Sequence, residues 1–268
     1  MKNIKLVASD MDHTLLTEKG ELPPNFNEYI QTLTELGVSF AIASGRPLYT
    51  LTNIFSELKN KMTFISDNGG TISHKGQIIF KSLVDVEAYK AMVDFVENKT
   101  DGISVICGLD SAYVAKKHEV HEPYLRIFYT TITFVDNLIE VAADANKFTI
   151  YFPNKDAKKN YDELLNPQFG NEFSVTIGDA MWVDIMNKGI DKGKAMKILG
   201  KELTITTEQM MAFGDTYNDA EMLQAVKYSY LVANAHDDMK QYANYMTKSN
   251  DEYGVTYILD KLIEEIEY

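Results

Sequence analysis

Two aspartates, Asp10 and Asp12, stand two residues apart directly after a short apolar run near the start of the chain. A carboxylate held at the end of a strand suits in-line attack on phosphorus. A second carboxylate further along the loop suits proton delivery to the leaving oxygen. The same residue types also cap helices and complete turns, so this spacing alone is a weak signal. The pair supports phosphoryl transfer only together with other residues.

Two further aspartates, Asp215 and Asp219, follow another apolar run in the segment FGDTYND. If all four carboxylates share one crevice, they repel a phosphate dianion. A hard cation with oxygen ligands removes this repulsion, and Mg²⁺ with several retained waters suits a site rich in carboxylates and poor in histidine. We therefore expect Mg²⁺ as the cofactor.

Two polar side chains could hold the phosphoryl oxygens, where charge sits in the transition state. Ser44 follows the second apolar run, and Lys192 opens a predicted helix. With loop N–H groups, the hydroxyl and the ammonium would bind the equatorial oxygens. Taken singly, Ser44 fits a turn ahead of Pro47 and Lys192 fits a solvated lysine. The two residues and the aspartates follow one another along the chain at the ends or starts of predicted elements. This joint pattern favours one shared site.

Short apolar runs separated by helical stretches must position these residues. Nearly continuous apolar runs of four to six residues are typical of parallel strands that are covered on both faces. Their alternation with helices predicts a doubly wound, Rossmann-like α/β fold, in which the carboxyl ends of the strands form the ligand crevice. The predicted strands span 4–8, 38–43, 63–66, 210–213, 228–232 and 245–247, and the first two helices span 25–36 and 48–59.

The middle of the chain breaks this alternation and predicts an inserted α/β cap. Alternating runs such as FSVTI and WVDIM suit an antiparallel sheet with one solvated face. We assign residues 1–82 and 188–268 to the catalytic core and 83–187 to the cap, with hinges near 82 and 188. The elements expected in the cap are helices over 86–98, from 136, and over 156–165, and strands over 103–107, 112–116, 147–152, 173–177 and 182–186.

Composition excludes several classes of partner. The net charge of −13 argues against nucleic acid and anionic membranes, because both would be repelled. The single cysteine, Cys107, cannot form a disulfide within the chain, so we expect a cytoplasmic protein. No apolar stretch approaches the ~20 residues needed to cross a bilayer. We expect a monomer or weak homo-oligomer.

The motifs together resemble the haloacid dehalogenase superfamily of phosphatases, in particular its Cof-type branch with a type IIB cap. The segments DMDHTLL, ASGRP, GIDKGKA and FGDTYNDAEML match the four family motifs in order. DNGG at 67–70, the Asn-Ala pair at 234–235 and SNDEYGV at 249–255 match as well. Two departures, Ala233 where glycine is frequent and Asn244 where aspartate is common, lie outside the proposed chemistry.

The resemblance implies a role for each matching residue. Asp10 would be the nucleophile and a Mg²⁺ ligand, and Asp12 would be the general acid and base and bind Mg²⁺ through its backbone carbonyl. The phosphate would be held by the backbone N–H groups of Met11 and Gly45 and by the side chains of Ser44, Lys192 and Asn218. The metal would also be held by Asp215, with Asp219 and Thr216 in support.

The expected reaction is hydrolysis of a phosphomonoester through an aspartyl phosphate, with a sugar phosphate or similar metabolite as substrate. Three alternatives stay open: a phosphosugar mutase of the same superfamily, a receiver-like signalling module, and a protein that binds a phosphometabolite without catalysis. Phosphate accumulation would exclude the mutase. The receiver module is about half this length, and the intact aspartate pair opposes a silent binding protein. Arg46 and His13 have no assigned role.

Overall fold

The structure is a computed structural model that describes residues 1–178 and 180–267, and these form two compact units. The first unit contains Met1–Ser44, Phe55–Phe80 and Asp191–Tyr268. The second unit contains Gly45–Ile54 and Lys81–Ile190. None of the described helices is both long and apolar enough to cross a membrane.

An eight-stranded sheet forms the centre of the first unit, in the order β14-β13-β12-β1-β2-β3-β4-β5. The six strands from β14 to β3 run parallel, and β4 returns antiparallel to β3. The parallel core confirms the predicted fold class, whereas β4 and β5 were not predicted. The strands are β1 (Leu6–Ser9), β2 (Ser39–Ala43), β3 (Thr63–Ser66), β4 (Thr71–His74), β5 (Gln77–Lys81), β12 (Met210–Gly214), β13 (Tyr228–Leu231) and β14 (Tyr245–Met246).

Helices cover both faces of this sheet, as the apolar runs predict. On one face the ring of Phe26 lies edge-on against Phe40 of β2, with centroids 5.5 Å apart. On the other face Ala41 of β2 packs in a cluster with Met196 and Leu199. Alternate residues of β2 therefore face opposite helix layers. The helices of this unit are α1 (Phe26–Glu35), α7 (Lys192–Leu203), α8 (Ala220–Ala225) and α9 (Gly254–Glu267).

The second unit contains a six-stranded sheet in the order β10-β11-β9-β6-β7-β8. All neighbouring strands are antiparallel except β7 and β8, which run parallel. Trp182 lies in an apolar cluster of this unit with 7% exposure, which makes it a core residue. The strands are β6 (Ile103–Gly108), β7 (Ala112–Ala115), β8 (Ile132–Val135), β9 (Ala145–Tyr151), β10 (Phe173–Ile177) and β11 (Trp182–Asn187); the helices are α2 (Leu48–Ile54), α3 (Val86–Lys99), α4 (Glu122–Leu125), α5 (Ala157–Asn160) and α6 (Asn166–Phe169).

The prediction of a helix from residue 136 was wrong. The chain makes one 3₁₀ turn at Leu138–Glu140, which the Asn137 side chain caps by accepting from the Ile139 N–H. The hydroxyl of Tyr89 lies within hydrogen-bond distance of the Val141 and Ala143 carbonyls, and it accepts from the Ala143 N–H. Backbone groups that a helix would need are thus bound by a tyrosine of α3.

The segment Gly45–Ile54 groups with the second unit, although it lies within residues 1–82 of the predicted core. The guanidinium of Arg46 donates to the Ile127 carbonyl over 2.7 Å, and the Thr50 hydroxyl donates to the Phe128 carbonyl over 3.1 Å. These bonds attach the segment to residues of the insertion. The helix α2 also ends at Ile54, five residues before the predicted end at 59.

Candidate active site

Asp10 is the first residue after β1, and the neighbouring strand holds its backbone. Its N–H donates to the Phe213 carbonyl of β12 over 3.0 Å, which continues the parallel pairing by one residue. The chain then turns through Met11–Leu15 and closes with a bond from Leu16 N–H to the Met11 carbonyl. Asp10 is therefore fixed at the strand end and 6% exposed.

The loop after β12 is organised by Asp219, whose side chain is fully buried. Its Oδ2 accepts from the N–H groups of Asp215 at 3.0 Å and Thr216 at 3.3 Å. A Cβ at Gly214 would lie 2.6 Å from the Cβ of Asp219, so only glycine fits there without a shift. Asp219 therefore shapes the backbone that carries Asp215.

Lys192 joins these two segments from the first position of α7. Its buried ammonium lies 2.6 Å from Asp10 Oδ1 and 2.6 Å from Asp219 Oδ1. The helix is held close by Gly193, where a Cβ would lie 2.4 Å from the Glu221 carbonyl. A lysine 182 residues from Asp10 in sequence thereby enters the same site.

Burial and the charge of the cluster raise the pKa values of Asp10 and Asp215. Burial raises the pKa of Asp10 well above its usual range, and Asp219 and Asp215 raise it further, whereas Lys192 acts in the opposite direction. Burial and the neighbouring Asp219 raise the pKa of Asp215 to about 6. Burial would lower the pKa of Lys192, but the carboxylates of Asp10 and Asp219 outweigh it and raise that pKa. Three carboxylates around one ammonium therefore resist full ionisation unless further positive charge is present.

This carboxylate set fits a hard divalent cation. In the part of the chain that the structure describes, Asp10, Asp215 and Asp219 form the group close enough to share a metal ion, with one ligand atom from each within 4.8 Å of the others. Thr14 supports the set, because its buried hydroxyl donates to Asp215 Oδ1 over 2.9 Å. Carboxylate oxygens are the ligands that Mg²⁺ prefers. One buried ammonium among three carboxylates leaves charge for a cation to offset.

Asp12, Thr216 and Met11 belong to the same two loops but lie outside this group of carboxylates. Asp12 is half-buried on the turn after Asp10, and Met11 is buried at the first position of that turn. Thr216 begins the 3₁₀ turn after Asp215 and takes part in a capping box with Asp219. The roles implied for these three residues stay predictions.

The residues expected to bind phosphate divide between the units. Ser44 is buried after β2, and its N–H donates to the Ile65 carbonyl over 2.9 Å. Asn218 donates from Nδ2 to the Asn68 side chain over 3.1 Å. Gly45 lies in the second unit, where its carbonyl accepts from Lys147 over 2.8 Å. Ser44, Lys192 and Asn218 thus belong to one unit, and the role of Gly45 stays a prediction.

Thr14, Asn68 and the two tightly packed glycines, Gly193 and Gly214, have no role that follows from the sequence alone. Thr14 was visible as the threonine of the DxDxT pattern, and Asn68 as part of DNGG. The partners of these side chains depend on distant parts of the chain: Thr14 and Asp215 are 201 residues apart. The sequence therefore shows the motif that contains each of these two residues, but not the contact that the residue makes.

His13 and Arg46 have contacts outside the carboxylate cluster. His13 has a left-handed backbone with φ of 60°, and its ring pairs with Glu18 at 3.1 Å. The Asn234 side chain donates to the His13 carbonyl over 2.8 Å, which holds the turn. Arg46 lies over the Phe128 ring within the second unit, 5.6 Å from its centroid.

Comparisons with known proteins relate the chain to other proteins over nearly its whole length. A family model described as haloacid dehalogenase-like hydrolase matches residues 7–259. The chain is 28% identical to the 5-amino-6-(5-phospho-D-ribitylamino)uracil phosphatase YbjI of Escherichia coli, over 98% of this chain and 97% of that protein. A crystal structure of SMU.1108c from Streptococcus mutans superposes with a TM-score of 0.89 at 29% identity, covering 97% and 99% of the two chains. The subclass IIB sugar phosphatase BT4131 shares the fold, with a TM-score of 0.77 at 22% identity over 96% and 98% of the chains.

Proposed function

Because the chain belongs to the haloacid dehalogenase-like hydrolases and is a phosphatase, we propose that it hydrolyses a small phosphomonoester through a phosphoryl group carried by Asp10. The observation that carries the proposal is the contact between the buried Lys192 ammonium and Asp10 Oδ1 at 2.6 Å. This contact keeps the carboxylate oriented at the end of β1. Since Lys192 binds Oδ1, we assign the attack to Oδ2.

The reaction proceeds in two balanced steps. Asp10 attacks phosphorus, the bond from phosphorus to the substrate oxygen breaks, and Asp12 gives its proton to that oxygen. Asp12 then takes a proton from water, whose oxygen attacks phosphorus and breaks the bond to Asp10. Orthophosphate leaves and Asp10 is restored. The half-buried position of Asp12, one residue beyond Met11, supports its role, because a proton donor must reach the substrate oxygen.

Asp10 and Asp215 would hold Mg²⁺ with their side chains and Asp12 with its backbone carbonyl, while Asp219 and Thr216 would support the metal shell. The spacing of the three carboxylates supports this assignment. When bound, the cation offsets the charge of the carboxylates and of the phosphoryl oxygens. The protein's own contribution is to hold the ligands still: Thr14 binds Asp215, and the N–H groups of the loop bind Asp219.

The remaining phosphoryl contacts come from neutral donors and one ammonium. We assign them to the side chains of Ser44, Lys192 and Asn218 and to the N–H groups of Met11 and Gly45. Donors fixed before the reaction stabilise developing charge without reorganisation, which favours buried groups such as Ser44 and Lys192.

The substrate is a small phosphorylated metabolite. The name of YbjI describes a phosphorylated ribitylamino pyrimidine, and we propose a polyol or sugar phosphate of this size as the substrate class. We assign its selection to the insertion over residues 83–187. We further propose a cytoplasmic enzyme, monomeric or weakly associated, that binds neither nucleic acid nor membrane; the charge of −13 and the buried thiol of Cys107 support this.

The test is phosphate release from a panel of sugar, polyol and ribitylamino pyrimidine phosphates in the presence of Mg²⁺. The wild type should release phosphate, and Asp10→Asn should release none, because an amide is a poor nucleophile of similar size. Asp260→Asn is the matched control, since this exposed aspartate of α9 contacts Tyr29 and should leave turnover unchanged. Activity that survives in Asp10→Asn would refute the nucleophile.

A further inference from the structure

The turn that follows β3 has an unusual backbone. Asp67, Asn68 and Gly69 have φ values of 50°, 53° and 102°, so three successive residues lie in the left-handed region. Asparagine and aspartate tolerate this region better than other residues with a side chain, and glycine adopts it freely. Strained backbone of this kind persists where the surroundings over-determine it, and it clusters at functional sites.

The turn contacts three elements that carry proposed phosphoryl-binding groups, all within the first unit. The Asn68 N–H donates to the Ser44 carbonyl over 3.0 Å. The Asn68 Oδ1 accepts from Asn218 Nδ2 over 3.1 Å. Gly69 packs so closely on α7 that a Cβ would lie 2.5 Å from the carbonyl of Asp191, the residue before Lys192.

Asn68 sets the direction of the Asn218 carboxamide. The Oδ1 of Asn218 is a buried atom with no hydrogen-bond partner among the described residues. Among the described residues, Asn68 is the hydrogen-bond partner of this amide. Because the Asn68 Oδ1 accepts a hydrogen, the bond places the nitrogen of Asn218, and not its oxygen, next to Asn68. One Nδ2 hydrogen binds Asn68, and the second stays available to a phosphoryl oxygen.

We propose that Asn68 is a positioning residue for the phosphoryl site, a role that rests on the proposed function. Its left-handed backbone directs the N–H to Ser44, and its side chain holds the Asn218 amide with the nitrogen toward the phosphoryl group. Asn68 acts through these two residues and does not touch the substrate. The side-chain part of this role is separable from the backbone part, because glycine keeps the backbone conformation and removes the side chain.

The first experiment compares Asn68→Gly with Asn25→Gly. Asn25 has the same left-handed backbone, with φ of 57°, but is exposed and makes no side-chain capping bond at α1. Asn68→Gly should raise the inhibition constant of inorganic phosphate by roughly 3- to 10-fold, the usual effect of one hydrogen bond. Asn25→Gly should leave it unchanged. Both variants should unfold close to the wild-type temperature, since glycine tolerates either backbone.

The second experiment asks whether Asn68 acts through Asn218. In an Asn218→Ala background, Asn68→Gly should weaken phosphate inhibition no further, because the amide that it orients is gone. An equal effect in both backgrounds would overturn the proposal, as would a normal inhibition constant in Asn68→Gly alone. If Asn68→Gly does not fold, Asn68→Asp tolerates the same backbone and keeps an acceptor for Asn218. Because the amide stays oriented, Asn218→Ala should then weaken phosphate inhibition as much in the Asn68→Asp protein as in the wild type, and a smaller loss would overturn the proposal.

A measurement that needs no turnover separates this proposal from the proposed function. Inorganic phosphate with Mg²⁺ should raise the unfolding temperature of the wild type more than that of Asn68→Gly. A wild type that releases no phosphate from the panel would refute the proposed function alone. An active wild type whose stabilisation by phosphate equals that of Asn68→Gly would refute the role of Asn68 alone.

Discussion

Lys192 and Asp219 form a buried ion pair, with 2.6 Å between Nζ and Oδ1 and no exposed surface on either side chain. The same carboxylate accepts the N–H groups of Asp215 and Thr216 through its other oxygen. Asp219 therefore links the start of α7 to the loop that carries Asp215. A buried charge that loses its partner is costly, so this pair couples site geometry to stability.

Asp219→Asn should destabilise the protein by up to about 3 kcal/mol, because the buried ammonium of Lys192 keeps only one carboxylate partner. The free energy of unfolding in urea measures this change. Asp237→Asn is the control: its partner Lys240 lies at a similar 2.7 Å, but both side chains are exposed. Asp237→Asn should have the same free energy of unfolding as the wild type. An equal loss of stability in the two variants would contradict the prediction that burial makes the Asp219 ion pair important.

Thr14→Val should weaken Mg²⁺ binding by roughly 10- to 100-fold, the usual effect of removing a residue that orients a metal ligand. The hydroxyl that donates to Asp215 Oδ1 is lost, while the shape is kept. Thr14→Ser should restore binding. The Mg²⁺ dependence of the unfolding temperature and of phosphate release reports the affinity, and chelation should abolish turnover in all three proteins. Wild-type affinity in Thr14→Val would contradict the prediction.

The stability of the metal-free protein should carry a pH dependence from Asp215. Its pKa is raised to about 6 in the folded state, against about 3.9 in an unfolded chain. Between these values the folded state binds more protons, so the contribution of Asp215 is complete below about pH 4 and is lost as the pH rises through 6. Asp215→Asn lacks this titration. With chelator present, the stability of Asp215→Asn relative to wild type should increase from pH 4.5 to 7, and a constant difference would oppose the prediction.

Asp12→Asn should slow turnover by roughly 10²- to 10⁴-fold if Asp12 is the general acid. The loss should be greatest for alkyl phosphates, whose alkoxide leaving groups need a proton, and smallest for an activated aryl phosphate. A leaving-group series on wild type and Asp12→Asn measures this. Equal slowing across the series would count against Asp12 as the acid.

Gly69→Ala should disturb the start of α7, because a Cβ would meet the Asp191 carbonyl at 2.5 Å. Gly20→Ala is the matched control: Gly20 also has a positive φ, of 75°, but a Cβ there would meet nothing within 4 Å. The two variants share the backbone penalty and differ in the clash. Urea unfolding should therefore show a larger loss for Gly69→Ala, and phosphate affinity should fall only in that variant. Equal losses in stability would show that the close approach is tolerated.

The parallel core could be predicted from local patterns. The run before Asp10 and the run before Gly214 are buried at every position, and such runs are read directly as parallel strands. Because parallel strands end at the same edge, the meeting of Asp10 with Asp215 followed from the strand prediction. The structure of the cap was harder to predict. The sequence predicts a helix from residue 136, whereas the chain makes a turn at Leu138–Glu140. The hydrogen bonds that hold this region come from Tyr89, which lies in another element, so no local pattern shows them.

The sequence by itself determined which residue types stand at the strand ends, and hence the acidic, oxygen-rich chemistry of the site. Only the tertiary structure decided how those groups are paired. Taken singly, Lys192 fits a solvated lysine, but the packing of α7 leaves its side chain with no exposed surface and in contact with the carboxylates of Asp10 and Asp219. Asn68 and Asn218 are 150 residues apart, and no local pattern contains their bond. Desolvation and hydrogen-bond partners arise from packing between distant segments, so they exist only in the folded chain.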